Sequence, residues 1–136
     1  MKQHGKLSAK LTAAAKAASA HAYCPYSTFP VGAAVLTGDG SIFSGCNVEN
    51  ASYGLTICAE RNAVFQAVAA GHVELRVMMV YTPTSSPTAP CGACRQVLFE
   101  FGPDARVHCF CDGPDVLEML ISDLLPNAFR PTTLKK

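Results

Sequence analysis

The sequence has almost no net charge and no long apolar run, and each absence excludes a class of function. The chain contains eleven Lys and Arg residues and ten Asp and Glu residues, which gives a net charge of +1. There is no basic stripe of the kind that neutralises phosphates, so no nucleic-acid partner is expected. No segment approaches the roughly 20 consecutive apolar residues of a membrane-spanning helix, so no membrane partner is expected either.

The first 23 residues also lack the pattern of a secretory leader. Their apolar positions are interrupted by four lysines, Lys2, Lys6, Lys10 and Lys16. A leader carries an unbroken apolar stretch, so the sequence predicts a protein that stays in the cytoplasm. There are seven cysteines, an odd number. In a reducing compartment they are expected to be metal ligands or buried thiols rather than disulfides.

Length and hydropathy limit the architecture. A chain of 136 residues is expected to form one domain, over residues 1–136. It is 49% hydrophobic, and its mean hydropathy of +0.20 is high for a small protein. Because a small domain cannot bury all of this apolar surface by itself, contacts between subunits are predicted.

Helical and strand-like segments follow one another along the chain. Helices are predicted over 8–22, with Ser8 as N-cap, over 58–71, and from Pro90 to about Gly102. Strands are predicted at 31–37, 41–46, 75–82 and 106–111, and the first two flank a Gly-Asp-Gly hairpin turn. Residues 116–120 fit either state, and 122–126 resemble a short capped turn. The fold class is therefore α/β, a sandwich with a mixed sheet.

A metal site is indicated by Cys91 and Cys94 at the start of the third predicted helix. Residues three apart lie on one face of a helix, so both sulfurs can reach one ion. Cys58 offers a third thiol at another helix start, where the helix dipole favours the thiolate. Three ligands are typical of a catalytic zinc site, which leaves one position for water. Cys46 as a fourth ligand would make a closed, structural site, and this alternative stays open.

Two charged residues follow Cys58 directly. At the open end of a helix, Glu60 can project beside the metal, where a carboxylate could transfer protons during a hydrolysis. Three thiolates give a Zn²⁺ site a net negative charge, and Arg61 could offset it by donating to a sulfur. The alternative for Glu60 is an acidic residue that only interacts with the helix dipole.

Five segments together resemble a known family. They are FPVGAA at 29–34, GCNVENASY at 45–53, CAERNA at 58–63, PCGACRQ at 90–96 and LLPNAF at 124–129. In this order they are similar to the small zinc-dependent cytidine deaminases of pyrimidine salvage, and Cys-Ala-Glu followed by Pro-Cys-x-x-Cys is the general signature of zinc nucleobase deaminases. The resemblance implies a three-layer α/β/α fold with a mixed five-stranded sheet, a homotetramer with active sites shared between subunits, and one Zn²⁺ per subunit.

The resemblance also implies residue roles. Zinc would be held by Cys58, Cys91 and Cys94, with Glu60 as the catalytic acid and base. Asn47 and Glu49 would bind the ribose 3′-hydroxyl, Phe29 would pack on the nucleoside, and the backbone of Ala59 would help to recognise the base. A neighbouring subunit would contribute Ala51, Tyr53 and Phe129. For Asn47 and Glu49 the alternative is a turn motif, and for the two phenylalanines it is core packing.

The implied reaction is hydrolytic deamination of cytidine and 2′-deoxycytidine to uridine and 2′-deoxyuridine, with release of ammonia. Three other functions are alternatives: a deaminase that edits nucleic acid, a deaminase of a nucleoside-like antibiotic, and a structural zinc or redox module. Tyr26 and Arg95 are placed outside the predicted site. The remaining thiols are expected to be buried without a role, namely Cys24, Cys46, Cys109 and Cys111.

Overall fold

The computed structural model describes residues 2–134, which form helices on both faces of one sheet. The helices are α1 Lys2–Ser19, α2 Ala59–Ala69, α3 Gly92–Phe101 and α4 Ile121–Leu124. The strands are β1 Gly32–Thr37, β2 Ile42–Cys46, β3 Leu75–Thr82, β4 Arg106–Cys111 and β5 Leu117–Leu120. Short 3₁₀ turns occur at Tyr53–Leu55 and Pro131–Leu134. No helix in this part of the chain is long and apolar enough to cross a membrane.

The sheet is mixed, with the strand order β2-β1-β3-β4-β5. Strands β3 and β4 pair in parallel, whereas the other neighbours are antiparallel. A parallel pair needs a crossover, and α3 supplies it between β3 and β4. Helix α3 therefore starts beside the carboxyl end of β3, which is the edge where open α/β sheets bind ligands.

Alternating side chains divide β1 between two apolar layers. Ala33 and Val35 belong to the core that contains residues of α2 and α3. Ala34 and Leu36 belong to a second core with Leu11 of α1. Because successive residues of a strand point to opposite faces, this division places α1 on one side and α2 with α3 on the other. The three-layer α/β/α arrangement with a mixed five-stranded sheet is confirmed.

Helix α2 packs very closely on the edge strand β2. A Cβ atom added at Gly45 would lie 2.5 Å from the backbone nitrogen of Ala63, so only glycine fits there. The helix presents three buried alanines to the sheet at a spacing of four residues, Ala59, Ala63 and Ala67. Small residues on both elements let the backbones approach, and this fixes where the first turn of α2 lies.

The prediction for the first helix was wrong at both ends. Helix α1 begins at Lys2 and ends at Ser19, so Ser8 lies inside it and is not its N-cap. The apolar face of the helix continues back to Leu7, which packs against the same core as Leu11 four residues later, so the helix does not begin at Ser8. At the other end, the Ser19 hydroxyl donates to the Lys16 carbonyl oxygen at 2.6 Å, a local bond that competes with continuation of the helix.

Three smaller differences occur further along the chain. Helix α3 begins at Gly92 with Cys91 as its N-cap, so Pro90 precedes the helix instead of opening it. Residues 116–120 contain a strand, β5, and the segment expected as a capped turn contains the one-turn helix α4, whose N-cap makes no side-chain hydrogen bond. Cys24 and Cys46 are only partly buried, whereas Cys109 and Cys111 are buried as expected.

Candidate active site

Three thiols from two helix starts meet at one point. Cys58 is the N-cap of α2, Cys91 is the N-cap of α3, and Cys94 lies in the first turn of α3. The Sγ atoms of Cys58 and Cys91 are 3.9 Å apart, and those of Cys91 and Cys94 are 3.5 Å apart. Cys46 does not belong to this group, in which every ligand atom lies within 4.8 Å of the others. The structure therefore does not support Cys46 as a fourth ligand.

The spacing of the sulfurs suits zinc. A tetrahedral zinc ion with Zn–S bonds of about 2.3 Å separates its sulfur ligands by about 3.8 Å. The two Sγ distances lie on either side of this value. Both helix starts also direct unpaired backbone N–H groups and partial positive charge toward the sulfurs, which favours thiolates. A cluster of three cysteines leaves a fourth position for a water molecule or substrate.

Arg61 lies against this cluster. Its Nη2 atom donates to the Cys58 Sγ at 3.3 Å, as expected for a guanidinium that offsets negative charge on sulfur. A hydrogen bond from the Cys94 thiol, reinforced by the Arg61 guanidinium, lowers the pKa of Cys58 to about 5. The same hydrogen bond, together with burial, raises the pKa of Cys94. The buried Nε of Arg61 has no hydrogen-bond partner among residues 2–134.

Glu60 is buried in the first turn of α2, two residues after Cys58. Burial raises the pKa of its carboxyl group, and the negative charge of Cys58 raises it further. A raised pKa suits a carboxyl group that must both accept and donate a proton, as a general acid and base does. An acidic residue that only interacted with the helix dipole would gain nothing from being buried beside three thiols.

The Asn47 side chain connects two neighbouring segments. Its Oδ1 atom accepts from the backbone N–H of Val31 at 2.9 Å, and its Nδ2 atom donates to the carbonyl oxygen of Phe29 at 2.9 Å. The residue is buried. Asn47 therefore fixes the loop that carries Phe29. Its two partners lie 16 and 18 positions earlier in the chain, so these bonds are not those of a local turn motif.

Glu49 holds the preceding part of the same loop. Its Oε1 atom accepts from the backbone N–H groups of Tyr26 and Ser27, at 3.0 and 3.1 Å. Hydrogen bonds from Ser27 lower the pKa of the Glu49 carboxyl group. The next residue, Thr28, has a positive φ of 53°, which is rare for a β-branched residue and is often found at functional sites. This turn immediately precedes Phe29.

The predicted nucleoside contacts that carry large side chains are exposed. Phe29, Tyr53 and Phe129 all face solvent, and so does Ala51. The rings of Tyr26 and Tyr53 meet edge to face with their centroids 5.7 Å apart. Core packing is therefore not the role of Phe29 or Phe129. Two grooves of about 760 and 510 Å³ lie elsewhere, and neither is lined by Glu60 or by a cysteine of the cluster.

Two residues outside the predicted site, Arg95 and Gln96, join α3 to the C-terminal segment. The Arg95 Nε atom donates to the Pro90 carbonyl oxygen at 2.8 Å, and Nη1 donates to that of Leu124 at 3.1 Å. The Gln96 Nε2 atom donates to the carbonyl oxygen of Phe129 at 2.9 Å. The sequence signal for these two residues was that they follow the predicted ligand Cys94. That position does not distinguish them from ordinary polar residues of a helix surface.

Comparison with known proteins decides the family. Residues 6–111 match the family described as the cytidine and deoxycytidylate deaminase zinc-binding region. The chain belongs to this family. The matched zinc-binding region contains the cluster of three cysteines. Among the His, Cys, Asp and Glu side chains of residues 2–134, these three form the group that could hold a metal ion. Zinc is therefore its cofactor.

Individual relatives cover most of the chain. A cytidine deaminase of Sporosarcina psychrophila is 47% identical over 121 residues, which are 88% of this chain and 89% of that protein. A cytidine deaminase of Halalkalibacterium halodurans is 50% identical over 109 residues, or 79% of this chain and 83% of that protein. The crystal structure of cytidine deaminase from Burkholderia pseudomallei superposes with a TM-score of 0.84 at 53% identity, covering 88% of this chain and 97% of that one.

Proposed function

We propose that this protein is a zinc-dependent hydrolase that deaminates cytidine and 2′-deoxycytidine to uridine and 2′-deoxyuridine. The observation that carries the proposal is the cluster of three thiols at two helix starts beside the buried carboxyl group of Glu60. A redox module would need only Cys91 and Cys94, and it would leave Cys58, Glu60 and Arg61 without a role. The relatives described above are named cytidine deaminases, which supports a nucleoside as substrate.

The reaction adds water to C4 of the pyrimidine and releases the amino group as ammonia. When bound, zinc supplies Lewis-acid chemistry that lowers the pKa of a water molecule from about 15.7 toward 7. Glu60 accepts a proton from the attacking water and passes it to N3, which makes C4 more electrophilic. Glu60 then takes the second proton of the water, from the hydroxyl group now on C4, and delivers it to the amino group. The water oxygen stays on C4, and the C–N bond breaks.

Asn47 and Glu49 are proposed to bind the ribose 3′-hydroxyl. The hydrogen bonds recorded for Glu49 use Oε1, so Oε2 can accept a bond from a hydroxyl group. The Asn47 amide has a second N–H group that can donate to the same hydroxyl. In this arrangement the two side chains hold the loop of Phe29 and the sugar at the same time, which places the aromatic ring relative to the nucleoside.

We propose a homotetramer because the predicted site includes side chains that are exposed in a single chain and that a neighbouring subunit would cover. Phe129, Ala51 and Tyr53 are exposed in one chain, and they are the residues expected to act in a neighbouring subunit's site. Light scattering coupled to size exclusion measures the mass directly, and a monomer at micromolar concentration would contradict the proposal. The seven free thiols accord with a reducing compartment. Cytoplasmic location stays a prediction that cell fractionation can test.

The first experiment measures deamination and zinc content on the same preparation. Purified protein is mixed with cytidine or 2′-deoxycytidine, the loss of the cytosine ultraviolet spectrum is followed, and zinc per chain is determined after release from the thiols. Turnover of both nucleosides with about one zinc per chain supports the proposal. Zinc-loaded protein that is inert toward both, but active on an aminated nucleoside antibiotic, contradicts the substrate assignment. Preference for single-stranded nucleic acid over nucleosides contradicts it too.

A further inference from the structure

Arg95 connects the metal-binding end of α3 to the C-terminal part of the chain. Its Nε atom donates to the carbonyl oxygen of Pro90, which is buried and directly precedes the N-cap Cys91. Its Nη1 atom donates to the carbonyl oxygen of Leu124, the last residue of α4. One half-buried guanidinium group thus connects the backbone of Pro90, just before Cys91, to the backbone of Leu124, after which the C-terminal segment begins.

Two further contacts attach that final segment to the same helix. Gln96 donates to the carbonyl oxygen of Phe129 at 2.9 Å, and the Arg130 guanidinium lies 5.1 Å from the centre of the Phe99 ring. Asn127 has a positive φ of 54° and reverses the chain shortly before Phe129. The segment has little regular structure of its own, because α4 is a single turn of four residues. Its course therefore depends on its attachment to α3.

We propose that Arg95 is a positioning residue, which holds the segment that carries Phe129 at a fixed place relative to the cysteine cluster. The inference rests on the proposed function, in which Phe129 contacts the nucleoside in a neighbouring subunit. The hydrogen bonds of the Arg95 guanidinium go to backbone carbonyl oxygens and not to a sulfur of the cysteine cluster. Arg95 acts through the carbonyl oxygens of Pro90 and Leu124, so that the orientation of α3 and the placement of Phe129 are set together.

The geometry requires arginine rather than any cation. The planar guanidinium holds several N–H donors at fixed separations, and here two different nitrogen atoms reach two carbonyl oxygens from separate parts of the chain. A lysine carries its three donors on one nitrogen atom, so it cannot reproduce two bonds that leave from separate nitrogen atoms of a planar group. Arg95→Lys therefore keeps the charge and alters the geometry of the connection.

The test compares Arg95→Lys with Arg106→Lys, since Arg106 is an exposed arginine of β4 that pairs with Glu118 far from the predicted site contacts. For Arg95→Lys we expect unchanged zinc per chain and KM for cytidine raised about tenfold, within the hundredfold that a displacement of about 1 Å can cost. The value of kcat is expected to stay within about threefold, because binding rather than the chemical step is disturbed. Arg106→Lys should match the unaltered protein.

A readout independent of activity is chymotrypsin cleavage after Phe129, followed by mass spectrometry. Loss of the Arg95 connection should accelerate this cleavage about tenfold, because local opening of the segment becomes more populated. Gln96→Ala provides a second, milder variant with a change in the same direction. This readout does not require that the protein deaminate cytidine, so failure of the proposed function and failure of the inference can be told apart.

Three outcomes would overturn the inference. The first is a cleavage rate and KM of Arg95→Lys equal to those of Arg106→Lys. The second is loss of zinc in proportion to activity with unchanged cleavage, since Arg95 would then support only the cysteine cluster. The third is faster cleavage with unchanged KM, because the position of Phe129 would then not matter for the nucleoside.

Discussion

On the metal-binding side of the candidate site, Ala59, Glu60 and Cys94 are buried within one chain, Cys58 is partly buried and Cys91 is exposed. The large side chains of its aromatic side all face solvent. Ala59, Cys94 and Glu60 expose 0%, 2% and 6% of their surface. Phe29, Phe129 and Tyr53 expose 38%, 55% and 74%. The first group lies in the first turns of two helices packed on the sheet, and the second group lies on loops and near the C-terminal end.

This difference separates two requirements of the proposed reaction. Proton transfer and metal binding need donors held at fixed distances in a site with little water, and a rigid helix start supplies both. Recognition of the nucleoside can require a neighbouring subunit, because the exposed aromatic rings are removed from water only when another surface covers them. The comparison predicts that a single chain suffices to bind zinc, whereas high affinity for the nucleoside requires the assembled subunits.

The largest effect is expected from Cys94→Ser. A serine hydroxyl is a much poorer zinc ligand than a thiolate, so this variant should lose both zinc and turnover. Zinc per chain and cytidine deamination measure the two losses together. Cys111→Ser is the matched control, because Cys111 is also a buried thiol but its Sγ atom donates to the carbonyl oxygens of Gly113 and Asp115 and does not belong to the cluster. Full zinc content in Cys94→Ser would contradict the three-cysteine site.

Glu60→Gln should separate metal binding from chemistry within the buried half. The amide cannot carry the proton, so we expect kcat to fall by about 10²–10⁴-fold while zinc content is unchanged. Steady-state kinetics with a parallel zinc assay provides the measurement. Glu118→Gln on the exposed β5 edge is the control and should leave both values unchanged. Activity within a few-fold of the unaltered protein would remove Glu60 from proton transfer.

Arg61→Gln is expected to weaken zinc binding without unfolding the chain. Loss of the 3.3 Å bond to the Cys58 Sγ should cost about 10–100-fold in metal affinity, as is usual for a residue that supports a ligand. Competition with a chelator measures the affinity, and thermal unfolding checks the fold. Equal retention of zinc by this variant and by Arg106→Gln would show that the Arg61 charge is not needed.

Phe129→Ala tests the exposed half. Because the ring is largely in water in a single chain, stability of the subunit fold should change by less than about 0.5 kcal/mol. If a neighbouring subunit buries the ring against the nucleoside, KM should rise about tenfold or more, since burial of such a side chain contributes about 1.5–3 kcal/mol. Phe65→Ala, another exposed phenylalanine, is the comparison variant. Unchanged KM in Phe129→Ala would end the shared-site proposal.

The smallest effect concerns pH and the loop held by Glu49. The pKa of this carboxyl group lies below its ordinary value of 4.5, so its hydrogen bonds are fully present above that value and are lost as the pH falls below it. Protection of the Tyr26 and Ser27 amides from hydrogen exchange should therefore decrease in this acidic range. Glu49→Gln should exchange faster already at neutral pH and show little further change. A parallel decrease in both proteins would exclude Glu49 as the cause.

Local sequence patterns predicted the elements well but not all of their ends. Strands β1, β2, β3 and β4 and the start of α2 after Cys58 follow from apolar period and turn residues, whereas α3 begins after the predicted Pro90. The start of α1 was misplaced because its apolar spacing continues back to Leu7, before the possible cap at Ser8. Residues 116–120 could not be assigned from their own pattern, because the strand β5 exists only through its pairing with β4.

The candidate site divides in the same way. The types and spacing of Cys58, Glu60, Cys91 and Cys94 determined by themselves which donors are available, because thiolates and carboxylates have fixed chemistry and i, i+3 residues share a helix face. Only the tertiary structure brought Cys58 within 3.9 Å of Cys91, across 33 positions of sequence. It also gave Asn47, Glu49 and Arg95 their partners, since a hydrogen bond to a backbone group depends on where distant segments meet and leaves no pattern in the sequence.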